Sequence, residues 1–413
     1  MALVRPFHAL RPVSESAAAV AAVPYDVVSR SEASDLAAGN PLSFLHVSRA
    51  EIDLDPDTSA YDEAVYQRAA ANFETLREDA PLVVEGAASL YFYRLRDGSH
   101  EQTGLAGCYS VDEYDRGVVK RHERTRADKE DDRTRHMLAL GAQTGIVFLT
   151  YRAAADIDAL KTRSCQGEPL IDLTARDGVR HTLWRLSPAD QRAAIRAFSG
   201  IPRLYIADGH HRIASAARAR TELKPANNHN PEAEACFFLG VAFPDSETRI
   251  LPYNRTVADL AGLTSGEFLD AVKARFPVRS GRESAPTKGQ VDMYLDRQWY
   301  VIDLRAGVST DETPDETDMA TGLDVARLQD QILAPILRVG DVRTDPRMAF
   351  VGGVRGTTAL KNLVDTGAAA VAFSLTAVTT DDLLSVSDAD AIMPPKSTWF
   401  EPKLRDGLLI HLI

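Results

Sequence analysis

Cysteine is scarce in this sequence, which has 3 cysteines in 413 residues. Cys108, Cys165 and Cys236 lie far apart, and they form no Cys-x-x-Cys pair. A disulfide framework is indicated by an even set of cysteines, and a thiolate zinc site by closely spaced pairs. The sequence supports neither, so we expect three ordinary core or surface thiols.

Long apolar runs and an excess of positive charge are also missing. The longest apolar run near the start, residues 17–23, is far shorter than the roughly 20 residues that cross a membrane. The opening MALVRPFHAL lacks the apolar core and cleavage site of a secretory signal, so we expect a cytoplasmic protein. The net charge of −12 opposes nucleic-acid binding, which neutralises phosphates with Lys and Arg. A local basic pocket for a small anion stays open.

The sequence does contain alternating helix and strand patterns. Ser29 and Glu32 form a capping box that predicts a short helix. Residues 61–79 have the spacing of an amphipathic helix, with Tyr61 and Phe73 on its apolar face. Together with the strand-like runs between them, these patterns predict an α/β protein with a mixed sheet.

The length of 413 residues predicts two or more subdomains. We expect a first domain over residues 1–257 and an additional α/β portion over 258–413, which could pack into the same unit. The acidic stretch TDETPDETD at 310–318 is expected to be an exposed loop.

The stretch YIADGHHRIASAARAR at 205–220 reads as a strand that runs into an alanine-rich helix. The first amides of such a helix lack acceptors in a preceding turn and attract an anion. Gly209 lets the backbone approach a ligand closely, and Arg212 offers a planar fork to phosphate oxygens. The junction therefore predicts a phosphate site.

Three neighbours in this stretch keep alternative roles. His210 and His211 are adjacent, and adjacent side chains share no face of a strand or a helix, which disfavours a two-histidine metal site. Either histidine could donate to phosphate or be a core residue. Asp208 could bind Mg²⁺, accept a proton from a hydroxyl, or cap the helix.

The stretch KRHERTRADKEDDRTRH at 120–136 contains almost no apolar residue. It is either a solvated helix, with Arg126 paired to Glu130 and Asp131 paired to Arg135, or the lining of a polar cleft. The functional candidates are Glu123 as general base or metal ligand, and Arg124, Lys129 and Arg133 as anion binders.

Two shorter motifs are further candidates. VPYDVV at 23–28 places Tyr25 and Asp26 at a strand end before a capped helix, where Asp26 is either an active-site group or a residue that only satisfies a turn. MPPKSTWFEPK at 393–403 places Lys396 in a proline-led loop, where it contacts phosphate or is simply exposed.

These motifs, in this order and together with RPF and NPLSFLHVSR, resemble a widespread bacterial and archaeal family catalogued as a domain of unknown function. The Asp-Gly-His-x-Arg junction is also similar to that of the ParB and sulfiredoxin-like nucleotide-binding fold, which includes free-serine kinases. The resemblance implies that Gly209, His210, His211 and Arg212 bind the phosphates of ATP or ADP. It also implies a glutamate that acts on the serine hydroxyl, and Glu15 is at the corresponding place.

The resulting hypothesis is a nucleotide-dependent kinase that transfers a phosphoryl group to a small hydroxyl-bearing substrate. Mg²⁺ would bridge the phosphates with Asp208 or Glu123, and a carboxylate would orient the acceptor. Two alternatives are a nucleotide-binding or nucleotide-hydrolysing regulatory protein, and a metal-dependent hydrolase that uses His210 or His211. A homodimer is among the expected assemblies.

Overall fold

The computed structural model describes residues 3–79, 82–224, 226, 230–281, 286–307 and 320–413. The predicted acidic loop at 310–318 lies outside the described residues. The chain divides into two compact units, the first formed by residues 1–120, 125–248 and 402–413, and the second by residues 121–124 and 249–401. The predicted domain division after residue 257 stays a prediction.

The described elements alternate between strands and helices along the chain. The strands are β1 (Val4–Arg5), β2 (Ala9–Pro12), β3 (Leu82–Val84), β4 (Tyr91–Asp97), β5 (His100–Ser110), β6 (Val119–Lys120), β7 (Ala142–Gln143), β8 (Val147–Tyr151), β9 (Ile171–Thr174), β10 (Arg180–Arg185), β11 (Leu204–Asp208), β12 (Phe237–Pro244), β13 (Ile250–Leu251), β14 (Tyr253–Val257), β15 (Val278–Ser280), β16 (Gln290–Leu295), β17 (Gln298–Asp303), β18 (Met348–Gly352), β19 (Val371–Ser374), β20 (Trp399–Phe400) and β21 (Ile410–Leu412). The helices are α1 (Ser14–Val20), α2 (Arg30–Ala37), α3 (Leu45–Ser48), α4 (Glu63–Asp79), α5 (Val111–Asp115), α6 (Ala127–Leu140), α7 (Ala155–Ser164), α8 (Pro188–Ser199), α9 (His210–Leu223), α10 (Ser265–Lys273), α11 (Asp324–Leu328), α12 (Gly356–Asp365) and α13 (Thr380–Asp388). Within the described part of the chain, no helix has the length and apolar character needed to cross a membrane.

The main sheet of the first unit has the strand order β6-β11-β8-β12-β5-β4-β10-β9, and β1 pairs with β5. β11 is parallel to β6, and β12 is parallel to β8, while the other pairs are antiparallel. The predicted α/β class with a mixed sheet is confirmed. Leu149 and Ile206 of this sheet are fully buried in one core with Ile213 of α9. Ala216 and Ala219 of α9 join that core, so small side chains let the helix lie close to the sheet.

A second layer of the first unit combines the sheet β3-β2-β21-β7 with helices α1 to α4. The capping box before α2 is confirmed, because Ser29 and Glu32 exchange side-chain and backbone hydrogen bonds. Phe73 of α4 is buried as predicted. Tyr61 was expected on the same face, but it precedes the first residue of α4 and is 42% exposed.

Helix α6 accounts for most of the charged stretch, and its pairs differ from the predicted ones. Arg126 binds Asp128 rather than Glu130, because Arg126 precedes the helix and the first turn is nearer. Asp131 binds Arg218 of α9, and Arg135 binds Glu63 of α4. The two predicted pairs are therefore wrong, because Arg126 binds a nearer residue and both Asp131 and Arg135 bind side chains of neighbouring helices. The buried polar residues of this helix are Asp132, Thr134 and His136.

The second unit is built on an antiparallel sheet with the order β15-β17-β16-β19-β14-β18, beside the small pair β13-β20. Helix α12 packs on one face of this sheet, where Leu360 contacts a core with Tyr294 and Ala372. Helix α11 ends at Leu328, and a π-helical turn follows over Gln329–Leu333.

The segment 402–413 returns to the first unit and contains a tight turn at Gly407. Gly407 has a φ of +85°, and a Cβ atom there would lie 2.9 Å from the ring of Phe44. The neighbouring residue, Asp406, forms a backbone bridge with Ala22. The turn therefore requires glycine for its backbone conformation and again for the close approach of Phe44.

Gly407→Ala is expected to lower the free energy of unfolding by about 2 to 4 kcal/mol, because strain in the left-handed region adds to overpacking. Gly39→Ala is the matched control, since Gly39 has a φ of +72° and a Cβ atom added there would meet no atom within 4 Å. Urea unfolding of both variants separates the two contributions. Equal losses in the two variants would show that the contact with Phe44 contributes nothing.

Candidate functional site

The strand-to-helix junction between β11 and α9 is formed by Asp208, Gly209 and His210. Gly209 adopts the left-handed conformation, with φ +95° and ψ +33°. A Cβ atom there would lie 3.1 Å from Cδ of Arg212 and 3.5 Å from Cα of Val147. Glycine is therefore needed for the turn and for the tight packing around it. The 14-residue helix α9 follows with no side-chain cap from Gly209.

Asp208 is held by two donors of the first unit. Its Oδ1 accepts the Gly209 N–H at 3.0 Å, and its Oδ2 accepts Nζ of Lys403 at 3.0 Å. Lys403 is mostly buried, with 11% of its side chain exposed. Asp208 therefore contacts the amide that precedes α9, and both of its oxygens are engaged. The predicted role of Asp208 as a Mg²⁺ ligand stays a prediction, and Mg²⁺ would have to compete with the Lys403 ammonium for the carboxylate.

Arg212 joins the junction to the VPYDVV motif. Its Nη2 donates to both carboxylate oxygens of Asp26 at 2.9 Å, and its Nη1 donates to the Ile146 carbonyl at 2.7 Å. Burial opposes the charge of Arg212, but the Asp26 and Asp208 carboxylates outweigh it and raise the pKa of the guanidinium. Its predicted role as a phosphate ligand stays a prediction, and phosphate would have to replace Asp26 at Nη2.

The side chain of Tyr25 lies close to two cations. The guanidinium carbon of Arg133 is 4.2 Å from the ring centre of Tyr25, and that of Arg212 is 5.7 Å away. Arg133 also donates to Asp132 at 2.9 Å, and 14% of its side chain is exposed. Burial, together with the Asp26 carboxylate, raises the pKa of Tyr25 above its ordinary range. The neutral ring is therefore in cation–π range of two arginines that are held by carboxylates.

Asp406 is a buried carboxyl group that sequence reasoning missed. It is 2% exposed, and it accepts the backbone N–H of Tyr25. Burial raises the pKa of Asp406 to about 7, with Arg212 opposing the shift and Asp26 adding to it. In sequence, Asp406 precedes Gly407 and resembles an ordinary turn residue. Lys403 was also missed, although it is the last residue of the MPPKSTWFEPK motif.

The other site residues predicted from the sequence belong either to the first unit or to the second. Glu15 lies exposed in the first turn of α1, and the described residues show no hydrogen bond between it and the junction. His211 accepts the Arg126 amide at Nε2, at 3.1 Å, and Lys129 lies 5.2 Å from the ring centre of Tyr61. His210 is buried at the start of α9. The predicted residues that belong to the second unit are Glu123, Arg124 and Lys396.

The structure thus assembles one polar cluster in the first unit from distant parts of the sequence. Asp26, Asp208, Arg212, Lys403 and Asp406 contribute carboxylates and cations around the junction. We call these five residues the junction cluster. Its acids and bases are mostly withdrawn from solvent, which strengthens their mutual electrostatic effects.

The raised pKa of Asp406 predicts a pH-dependent loss of stability. Since the folded value of about 7 exceeds the unfolded value of 3.8, this stabilising contribution is complete below pH 3.8 and is lost as the pH rises through 7. Relative to Asp406→Asn, the wild type should lose about 1.4 kcal/mol of unfolding free energy per pH unit between these values. Urea unfolding across this range tests the slope, with Asp57→Asn at an exposed carboxylate as control. Parallel profiles for wild type and Asp406→Asn would contradict the assignment.

Comparisons with solved structures give distant similarities. A conserved hypothetical protein from Pyrococcus furiosus has 12% identity and a TM-score of 0.36, covering 74% of this chain and 95% of its own. C-terminally truncated SbnI from Staphylococcus aureus has 10% identity and a TM-score of 0.40, covering 74% and 87%. A free serine kinase in complex with AMP has 11% identity and a TM-score of 0.37, covering 74% and 91%. No curated protein matches this chain in sequence.

A family model gives a stronger result. It matches residues 4–326, and the family is described as "Protein of unknown function (DUF1015)". The match includes the VPYDVV motif, the charged stretch and the β11–α9 junction, so the resemblance noted in the sequence is confirmed. Because it spans more than half of the 413 residues, the chain belongs to this family of proteins of unknown function.

Proposed function

We propose that this chain binds a nucleotide at the β11–α9 junction and transfers a phosphoryl group to the hydroxyl of a small acceptor. The observation that carries the proposal is the position of Lys403, whose buried ammonium binds Asp208 directly before Gly209 and α9. A fixed cation beside a left-handed glycine and a helix N-terminus is an arrangement suited to phosphate.

The phosphate-binding step uses groups that are already oriented. The amides at the start of α9 point along the helix axis, and the helix dipole favours an anion there. Lys403 adds a positive charge that Asp208 holds in place at 3.0 Å. Phosphate oxygens would share that ammonium with Asp208. Gly209 supplies the left-handed backbone conformation that this turn requires directly before the amides of α9.

ATP or ADP would supply the phosphoryl group that is transferred. In the reaction, the acceptor oxygen bonds to phosphorus, the bond from phosphorus to the departing nucleotide breaks, and the acceptor proton goes to a carboxylate. Because Asp208 is engaged by Lys403 and Gly209, we assign no Mg²⁺ ligand in the first unit and no step to that ion.

Asp26 is the carboxylate that we assign to the acceptor hydroxyl. It is the more exposed member of its ion pair, with 35% of the side chain exposed against 6% for Arg212. Arg212 fixes the direction of the carboxylate, and the remaining oxygen lone pairs can accept a hydroxyl hydrogen. Asp406 is buried close enough to this pair for the charges of Arg212 and Asp26 to influence its pKa.

Lys403→Met is expected to weaken the binding of ATP or ADP at least ten-fold. Loss of a charged hydrogen bond to phosphate costs about 1.5 to 3 kcal/mol. Isothermal titration calorimetry measures the change. Lys161→Met is the matched control, because Lys161 is also largely buried in the first unit and is paired with Asp158 and Glu247. Unchanged nucleotide binding in a folded Lys403→Met variant would remove the phosphate site from the junction.

Phosphoryl transfer is tested separately with ATP or ADP and a panel of amino acids and small alcohols. We expect a phosphorylated product with the wild type, and a rate roughly 10²- to 10⁴-fold lower with Asp26→Asn, as for loss of a general base. Unfolding curves must show that the variant is folded, since Asp26 also binds Arg212. Nucleotide binding without transfer to any acceptor would instead favour a regulatory nucleotide-binding protein.

A further inference from the structure

Arg255 is a buried cation in the second unit without a counter-charge among the described residues. Its side chain is fully buried in β14, and its Nη2 donates to the Pro395 carbonyl at 3.0 Å. Nε and Nη1 are also buried, and the described residues supply no acceptor for either atom. Burial alone lowers the pKa of Arg255 to about 10, and no carboxylate offsets it. Such a group costs free energy unless an acceptor compensates it.

Three aromatic rings lie near Arg255 and contact one another. Phe350 pairs with Arg255 across β14 and β18, and its ring centre lies 5.6 Å from the guanidinium carbon. Tyr253, two residues before Arg255 on the same face, packs edge-on against Phe350 at 5.9 Å and Trp399 at 5.0 Å. All three rings are only partly buried. A partly exposed aromatic surface therefore lies beside the buried cation.

The loop that follows α13 brings a second cation to this surface. The ammonium of Lys396 lies 5.7 Å from the ring centre of Tyr253, and Lys396 is exposed. Its φ of +58° is unusual for a residue with a side chain. Strained positions of this kind are found at ligand-binding loops more often than elsewhere. Lys396 directly follows Pro395, whose carbonyl accepts Nη2 of Arg255.

We propose that Arg255, Lys396, Tyr253, Phe350 and Trp399 form a binding site for a small oxyanion that carries a planar ring. The oxyanion, a phosphate or a carboxylate, accepts hydrogen bonds from Nε and Nη1 of Arg255, and the ring lies against the aromatic side chains. Ligand access requires the loop at Pro395 and Lys396 to move away from the guanidinium. This site is distinct from the junction cluster, and it does not depend on the proposed kinase function.

The electrostatics favour an anion over a neutral ligand. The positive charges of Arg255 and Lys396 lie near these rings, where the Glu401 carboxylate accepts the Trp399 Nε1–H at 2.8 Å. A second carboxylate of this unit, Asp292, lies on a strand position that faces the opposite side of the sheet. A bound oxyanion would satisfy the buried N–H groups and neutralise the guanidinium at once. Without such a ligand, only Nη2 of the three guanidinium nitrogens has an acceptor among the described residues, the Pro395 carbonyl.

Arg255→Met tests the site by calorimetry and thermal unfolding with four probes: inorganic phosphate, benzoate, AMP and adenosine. We expect the variant to bind phosphate and AMP, or benzoate, at least ten-fold more weakly. We also expect it to melt no lower than the wild type without ligand, because an uncompensated buried cation is removed. Arg343→Met is the control, since Arg343 is a partly exposed arginine paired with Asp341.

The four probes distinguish the ligand chemistry. Tighter binding of AMP than of phosphate or adenosine supports a ring with a phosphate, and tighter binding of benzoate supports a ring with a carboxylate. Binding that falls with Arg255→Met but not with Lys403→Met belongs to this site rather than to the junction. Lys396→Asn, which removes the ammonium and tolerates a positive φ, should weaken the same probes several-fold if Arg255→Met does not fold. Equal binding of every probe by all variants, or a lower melting temperature as the only effect, overturns the proposal.

Discussion

The ion pair between Asp26 and Arg212 is the interaction on which the arrangement of the first unit's site depends. It joins a short 3-10 turn near the start of the sequence to the first turn of α9, across 186 positions. The arginine is almost fully buried, so its charge must be compensated inside the protein. That requirement fixes the VPYDVV turn against the β11–α9 junction, and with it the neighbouring Tyr25 and Asp406.

The phosphate site that we propose at the junction cluster lies in a protein with an overall charge of −12. Its two cations, Arg212 and Lys403, are each bound by a carboxylate. This pairing keeps both charges stable in a mostly buried region, but it also means that an incoming anion must compete with Asp26 or Asp208. A ligand that interacts with the helix N-terminus as well as the cations meets that competition best.

Local features of the fold could be predicted from the sequence. The capping box of Ser29 and Glu32, the buried face of α4 around Phe73, and the junction at Gly209 all depend on residues a few positions apart. The ion pairs of α6 could not, because Asp131 and Arg135 bind side chains from other helices rather than their own. The contact between Lys403 and Asp208 could not be predicted either, because the two residues are 195 positions apart in the sequence.

The path of the chain adds a constraint of its own. The first unit is completed only by residues 402–413, which follow the whole of residues 249–401. Those last residues supply Lys403, Asp406 and strand β21, which pairs with both β2 and β7. During synthesis on the ribosome, the first unit must therefore wait for the second to be made before its small sheet can close. A polypeptide that stops before residue 402 contains Gly209, but it lacks Lys403 and therefore the ammonium that binds Asp208 at the junction.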